Sequence, residues 1–145
     1  MRGRNGRERN MKTRITELFD INTPIIQAPM AGTATPALAA AVSNAGGLGS
    51  LGFGAANAEQ VLESMQTLRQ ATNKPYNANF CVHDRPVRDP AKEAAWLETL
   101  KPFMDEFNAE TPKALDEIYM SFNADDDLLQ VVLDERPPIV SFHFG

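Results

Sequence analysis

The sequence predicts an α/β fold of parallel strands joined by helical crossovers. Three observations carry that prediction. Short apolar runs bounded by proline or glycine alternate with helical patterns at a spacing of roughly 25–30 residues, the mark of repeated βαβ units. The helical stretches bring their own start and stop residues. With 145 residues, 43% of them hydrophobic, the chain has apolar material for one core, and its length predicts one domain.

Residues 24–29 (Pro-Ile-Ile-Gln-Ala-Pro) form an apolar run between prolines and read as a buried strand. A helix follows, with Thr35 as its N-cap and Pro36 at the first helical position, where a missing N–H costs nothing. It runs to Asn44 and stops at Gly46-Gly47. Its many alanines make a thin face that can lie close on a sheet. Residues 48–53 read as a second strand, with glycines where backbone or ligand comes near. Asn57 caps the next helix, whose Val61, Leu62, Met65 and Leu68 keep helical spacing. Residues 75–82 are a third strand. Asp89-Pro90 opens a further helix through Ala94, Leu97 and Leu100, which Pro102 is expected to break or kink. A last helix over 124–133 precedes a fourth strand over 137–144. The stretch from His83 to Phe122 exceeds what one crossover needs and reads as an excursion at one end of the sheet. Trp96 and the methionines are expected in the core.

Composition removes several function classes. The net charge is -5, and four of the 14 basic residues crowd into the first ten positions, so the remainder is more acidic still. Such a balance argues against nucleic acid or an anionic membrane surface, both of which need clustered Lys and Arg. No apolar run approaches the roughly 18 residues of a membrane span. The Arg-rich start lacks the apolar stretch of a secretory signal. A single cysteine, Cys81, allows no internal disulfide and fits a reducing cytoplasm. With only His83 and His143 beside it, a structural zinc site is excluded. Residues 1–10 have no apolar periodicity and read as a disordered arm or a mis-assigned start, Met11 being the more natural first residue. Residues 11–145 then make up the folded part.

The sharpest chemical feature is Gln27-Ala28-Pro29-Met30-Ala31-Gly32 at the end of the first strand. In barrels of eight βα units, reactive groups sit at the C-terminal ends of strands. Pro29 fixes the chain, Met30 offers a polarizable side chain, and Gly32 permits close backbone approach, a surface suited to a flat heteroaromatic ring. These six residues equally suit a strand ending in a turn over a core methionine. His143 between two phenylalanines reads by itself as a core histidine, and Asn79 as a buried amide bonded to backbone. Cys81 and His83 suggest a nucleophilic pair, but no oxyanion donor accompanies them. Asp125-Asp126-Asp127 could bind a metal, yet a helix start explains three acids better.

Taken together, QAPMAG at 27–32, NAGGLGSLG at 44–52, Asn79 at the third strand and SFHFG at 141–145 resemble the nitronate monooxygenase family, formerly 2-nitropropane dioxygenases. The resemblance runs from Thr13 to Gly145 and covers about the first half of a family member. It implies the N-terminal half of a TIM (β/α)8 barrel, FMN as cofactor, and oxidation of alkyl nitronates by O2. Ala28, Pro29 and Met30 would line one side of the flavin, Asn79 would bond it through its amide, and His143 would face the substrate. Tyr119 would be a further pocket residue on a weaker motif. The glycines of 46–52 would serve packing more than cofactor contact. The family's catalytic histidine lies in a later Gly-rich segment and its phosphate loops near the last strands, so no catalytic base is assigned before Gly145, and the 145 residues alone are expected to be inactive. Two other readings stand beside this one. A related flavin barrel could reduce enoyl thioesters or quinones with NAD(P)H. A truncated product or partial gene model would have no activity, though a half-barrel could persist by pairing exposed edges as a homo-oligomer.

Overall fold

A computed structural model describes residues 11–145. The expected N-terminal arm over 1–10 lies outside the described residues. The chain forms helices α1 (Arg14–Phe19) and α2 (Pro36–Asn44), strand β1 (Gly49–Gly52), helix α3 (Ala58–Ala71), strand β2 (Tyr76–Cys81), helices α4 (Pro90–Glu106) and α5 (Asp126–Glu135), and strand β3 (Ile139–His143). The strands pair in parallel in the order β1-β2-β3.

The helix starts follow the sequence closely. Thr35 accepts a hydrogen bond from the Leu38 amide at 3.2 Å, and Pro36 sits in the first turn of α2. At α3, Asn57 and Gln60 form a reciprocal capping box, each side chain accepting from the other's backbone N–H. Asp125 caps α5 by accepting from the Leu128 amide at 3.0 Å, and Asp126 and Asp127 fill its first turn. Among the described residues no cluster of three His, Cys, Asp or Glu could hold a metal.

Four expectations need correction. Residues 24–29 do not form a strand but meet the sheet through one parallel bridge, Ile26 to Leu48. The Gln27 side chain continues the pairing where the backbone stops. Its Nε2 donates to the Ser50 carbonyl at 3.1 Å, and its Oε1 accepts from the Ser50 amide at 3.3 Å. Pro29, lacking an N–H, could not have extended a backbone ladder. Pro102 does not break α4, which continues to Glu106. Trp96 is not core: it is 55% exposed on a helix with no buried residue. Of the methionines, Met65 is fully buried, whereas Met30 and Met120 are exposed. The structure also adds α1, whose six residues are too few for a periodic signal and whose Thr13/Thr16 capping box replaces one.

Alternation along the strands sorts side chains to two faces. Leu51, Tyr76, Ala78, Phe80 and Val140 point toward Ala39 of α2, Val61, Met65 and Leu68 of α3, and Leu128 of α5, forming the core. The Phe80 ring lies 5.3 Å from Phe53 and 4.8 Å from Phe122 between centroids. The close seating of α2 comes from Gly49, where a Cβ would collide with the Ala39 backbone. The opposite face is polar. It carries Ser50, Asn77, Asn79, Ser141 and His143, with Gly52, Asn79 and Ser141 level across the three strands. Strands in sequential order with core-forming helices on one face describe an arc of a singly wound barrel, its polar face inward. No described helix is long and apolar enough to cross a membrane.

Candidate active site

At the C-terminal ends of the strands lies an open cavity of about 710 Å³. Its walls come from five places. Pro29 and Ala31 follow the bridge segment, Gly52 and Gly54 follow β1, Asn79, Cys81 and His83 end β2, and His143 and Phe144 end β3, with Tyr119 from the long excursion across the top. Gly52 sets how near the first wall stands. A Cβ there would lie 3.0 Å from the backbone of Pro29, Met30 and Ala31, so a larger residue would press this segment off the sheet end by a few tenths of an ångström.

Of residues 28–30, Pro29 alone borders the cavity; Ala28 and Met30 are exposed and stand outside its lining. Alternation in the extended segment accounts for this, since positions 29 and 31 share a side and 28 and 30 take the other. Asn79 and His143 both border the cavity and bond to each other, Asn79 Oδ1 meeting His143 Nδ1 at 3.0 Å. The Asn79 amide nitrogen donates to the Ser141 carbonyl at 3.1 Å and to Ser141 Oγ at 2.8 Å. Asn79 itself is 5% exposed, so its amide is a fixed feature of the wall. The glycine run divides as its positions dictate: Gly49 serves packing, and Gly52 lines the cavity.

Sequence reasoning passed over Ala31, Gly54 and Phe144 and weighed His83 for another purpose. His83 Nε2 donates to the Tyr119 carbonyl at 3.1 Å, which ties the excursion over the cavity. The Tyr119 ring lies against Gly54, 3.1 Å from where a Cβ would stand. No local signal in the sequence announces a bond across 36 residues. Cys81 shares the lining but makes no hydrogen bond to either histidine among the described residues, so the geometry gives no Cys/His nucleophile.

The lining suits a flat, largely apolar ring with one polar edge: it combines proline, alanine and glycine with the Asn79–His143 pair. Among the described residues no lysine or arginine borders it, so these residues fit a flavin's ring system and leave its phosphate to other groups.

A parallel barrel arc with glycine-floored walls and two histidines at its C-terminal end defines the class: an enzyme of the (β/α)8 type. The nitronate monooxygenase family model matches residues 12–145, and the chain belongs to that family. It is 53% identical over 135 residues to a nitronate monooxygenase of Pseudomonas aeruginosa, covering 93% of this chain and 38% of that protein. It is 51% identical over 134 residues to a nitronate monooxygenase of Paraburkholderia phytofirmans, covering 92% of this chain and 37% of that one. Among solved structures, nitroalkane oxidase from Streptomyces ansochromogenes overlays with a TM-score of 0.74 at 34% identity, over 89% of this chain and 36% of that chain. FabK from Thermotoga maritima overlays at 0.61 with 32% identity, over 93% of this chain and 31% of its own. The chain thus spans well under half the length of the relatives it matches, and the family role is that of an oxidoreductase.

Proposed function

We propose that the polypeptide carrying this sequence is an FMN-dependent oxidoreductase that oxidises small alkyl nitronates with O2. The observation that carries this reading is the cavity itself. Pro29, Ala31, Gly52 and Gly54 present ring-flat apolar surface, while Asn79 and His143 face it with polar groups. Bound FMN would supply the electron transfer between nitronate and O2. Pro29, Ala31, Gly52 and Asn79 would hold its ring. The higher TM-score with a nitroalkane oxidase (0.74) than with FabK (0.61) supports this substrate class.

The chain's own residues act in three ways. Gly52 lets the 29–31 segment lie against the end of β1. Tyr119, whose backbone carbonyl is tethered by His83, adds an aromatic side chain to the cavity wall. His143 stands at the substrate side, where a protonated imidazole can donate from Nε2 to a nitronate oxygen. Such a charge-assisted bond is worth about 1.5–3 kcal/mol. The catalytic base is not assigned to any residue of this chain. The protein is expected to act in the cytoplasm on small molecules, without nucleic acid or membrane partners.

Flavin titration of the full polypeptide, followed by the quenching of FMN fluorescence, tests the cofactor reading. Binding is expected in the wild type and a loss of at least about tenfold (~1.4 kcal/mol) in Gly52→Val, whose side chain would push out the 29–31 segment. No binding by the wild type would remove the proposal. His143→Gln is expected to raise KM for ethylnitronate about 10–100-fold, the size of one charge-assisted bond. An unchanged KM would take His143 out of the substrate site.

A further inference from the structure

We infer that Ser141 and Asn79 are positioning residues that lock His143 in one tautomer, with the proton on Nδ1 and the lone pair of Nε2 left for the cavity.

The Ser141 backbone carbonyl can only accept a hydrogen bond. It lies 3.1 Å from one terminus of the Asn79 side chain, so that terminus must be the NH2, and Ser141 Oγ at 2.8 Å accepts its second hydrogen. The amide orientation is therefore determined by its partners. The other terminus, Oδ1, then faces His143 Nδ1 at 3.0 Å and can only accept, so Nδ1 carries a proton whenever the imidazole is neutral. Strand register brings these groups together. Asn79 pairs with Ser141, and Cys81 with His143, so His143 sits one inward-facing position further along β3 than Ser141. Asn79 is 5% exposed, and water does not compete for its amide.

The consequence lies at Nε2. It is across the ring from Nδ1, and it has no hydrogen-bond partner among the described residues, while the ring borders the cavity. Neutral His143 therefore offers the cavity an acceptor and no donor. It gains an Nε2–H only by becoming an imidazolium, which then donates at both ends. Among the described residues, the other titratable side chains that line this cavity are Cys81, His83 and Tyr119. His83 is held the opposite way. Its Nε2 faces the Tyr119 carbonyl, an obligate acceptor, so Nε2 carries its proton. The two histidines of the cavity thus present opposite tautomers. In the reading under Proposed function, on which this use of the site rests, an anionic ligand selects the imidazolium, and a ligand with a proton to give meets the neutral form.

Two-bond proton–nitrogen NMR on the full polypeptide labelled with 15N-histidine reads the tautomers directly, at a pH of about 8 where an ordinary imidazole is neutral. Signals are assigned with His143→Gln and His83→Gln. The expected wild-type spectrum has a protonated-type shift at Nδ1 and an unprotonated-type shift at Nε2 for His143, and the reverse for His83. Asn79→Ala is expected to move both His143 shifts toward a mixed-tautomer average. Asn79→Asp, still an acceptor, is expected to keep the Nδ1 proton and to hold the imidazolium to higher pH. A His143 spectrum with the proton on Nε2 in the wild type overturns the inference, and this reading needs no variant to fold. So does an Asn79→Ala spectrum identical to wild type. Neither flavin nor nitronate enters the experiment, so its failure leaves the cofactor reading standing, and failed flavin binding leaves the tautomers in place.

Discussion

At Gly49 one hydrogen atom decides how the outer layer seats. Any Cβ there meets the Ala39 backbone, so Gly49→Ala must push α2 off the sheet. We expect a loss of about 1–3 kcal/mol, typical of overpacking, seen in urea as a lower midpoint at unchanged slope. Phe80, 1% exposed and flanked by Phe53 and Phe122, is the opposite case. Phe80→Ala leaves a cavity and is expected to cost about 3–5 kcal/mol. Tyr76 gives the pH dependence. Its hydroxyl is buried without a partner. Burial pushes the phenol above its usual value, with Glu135 adding to the rise and Arg69 partly opposing it. A raised folded-state pKa means stability fully present below about pH 10 and lost as pH rises through the folded value. Tyr76→Phe is expected to be near neutral at pH 7 and to flatten that alkaline loss, measured by denaturant midpoints across the range.

At the scale of elements, what was legible in the sequence was what local bonds decide. Thr35, Asn57 and Asp125 each cap a helix within three residues of their partner; α2 and α3 begin where Thr35 and Asn57 predict, and α5 begins at Asp126 rather than 124. Thr35→Ala is expected to cost about 1 kcal/mol, read from thermal unfolding. What the sequence concealed depends on distant partners. Residues 24–29 keep one bridge to the sheet, and beyond it the Gln27 side chain pairs with Ser50, a bond that no apolar pattern encodes. Trp96 has core composition but lies on α4, where no residue is buried. Pro102 inside α4 leaves the Glu98 carbonyl without its donor, yet the helix holds. Pro102→Ala is therefore expected to raise helicity in circular dichroism, with a gain of up to about 3 kcal/mol in helix stability.

For the whole molecule, the parallel arc and its inward polar face follow from alternating strands and capped helices, which is why the fold class was readable from one chain. The site was readable in part. Pro29, Asn79 and His143 stand in short motifs at strand ends, and all three border the cavity. Tyr119 comes from a segment without periodicity, and the bond that brings it there comes from His83. Nothing in the lining supplies a cationic anchor for a phosphate. Residues 1–145 alone are accordingly expected to bind FMN weakly and to show no turnover above that of the free cofactor.

The central claim is that this cavity serves flavin-dependent nitronate oxidation. Oxygen uptake by the FMN-loaded full polypeptide on addition of ethylnitronate, measured with an electrode against free FMN at equal concentration, tests it most directly. The account predicts uptake well above the free cofactor, without NAD(P)H, and a raised KM in His143→Gln. Uptake equal to that of free FMN, with NAD(P)H consumed on a quinone or enoyl thioester instead, would contradict it and assign the cavity to a reductase.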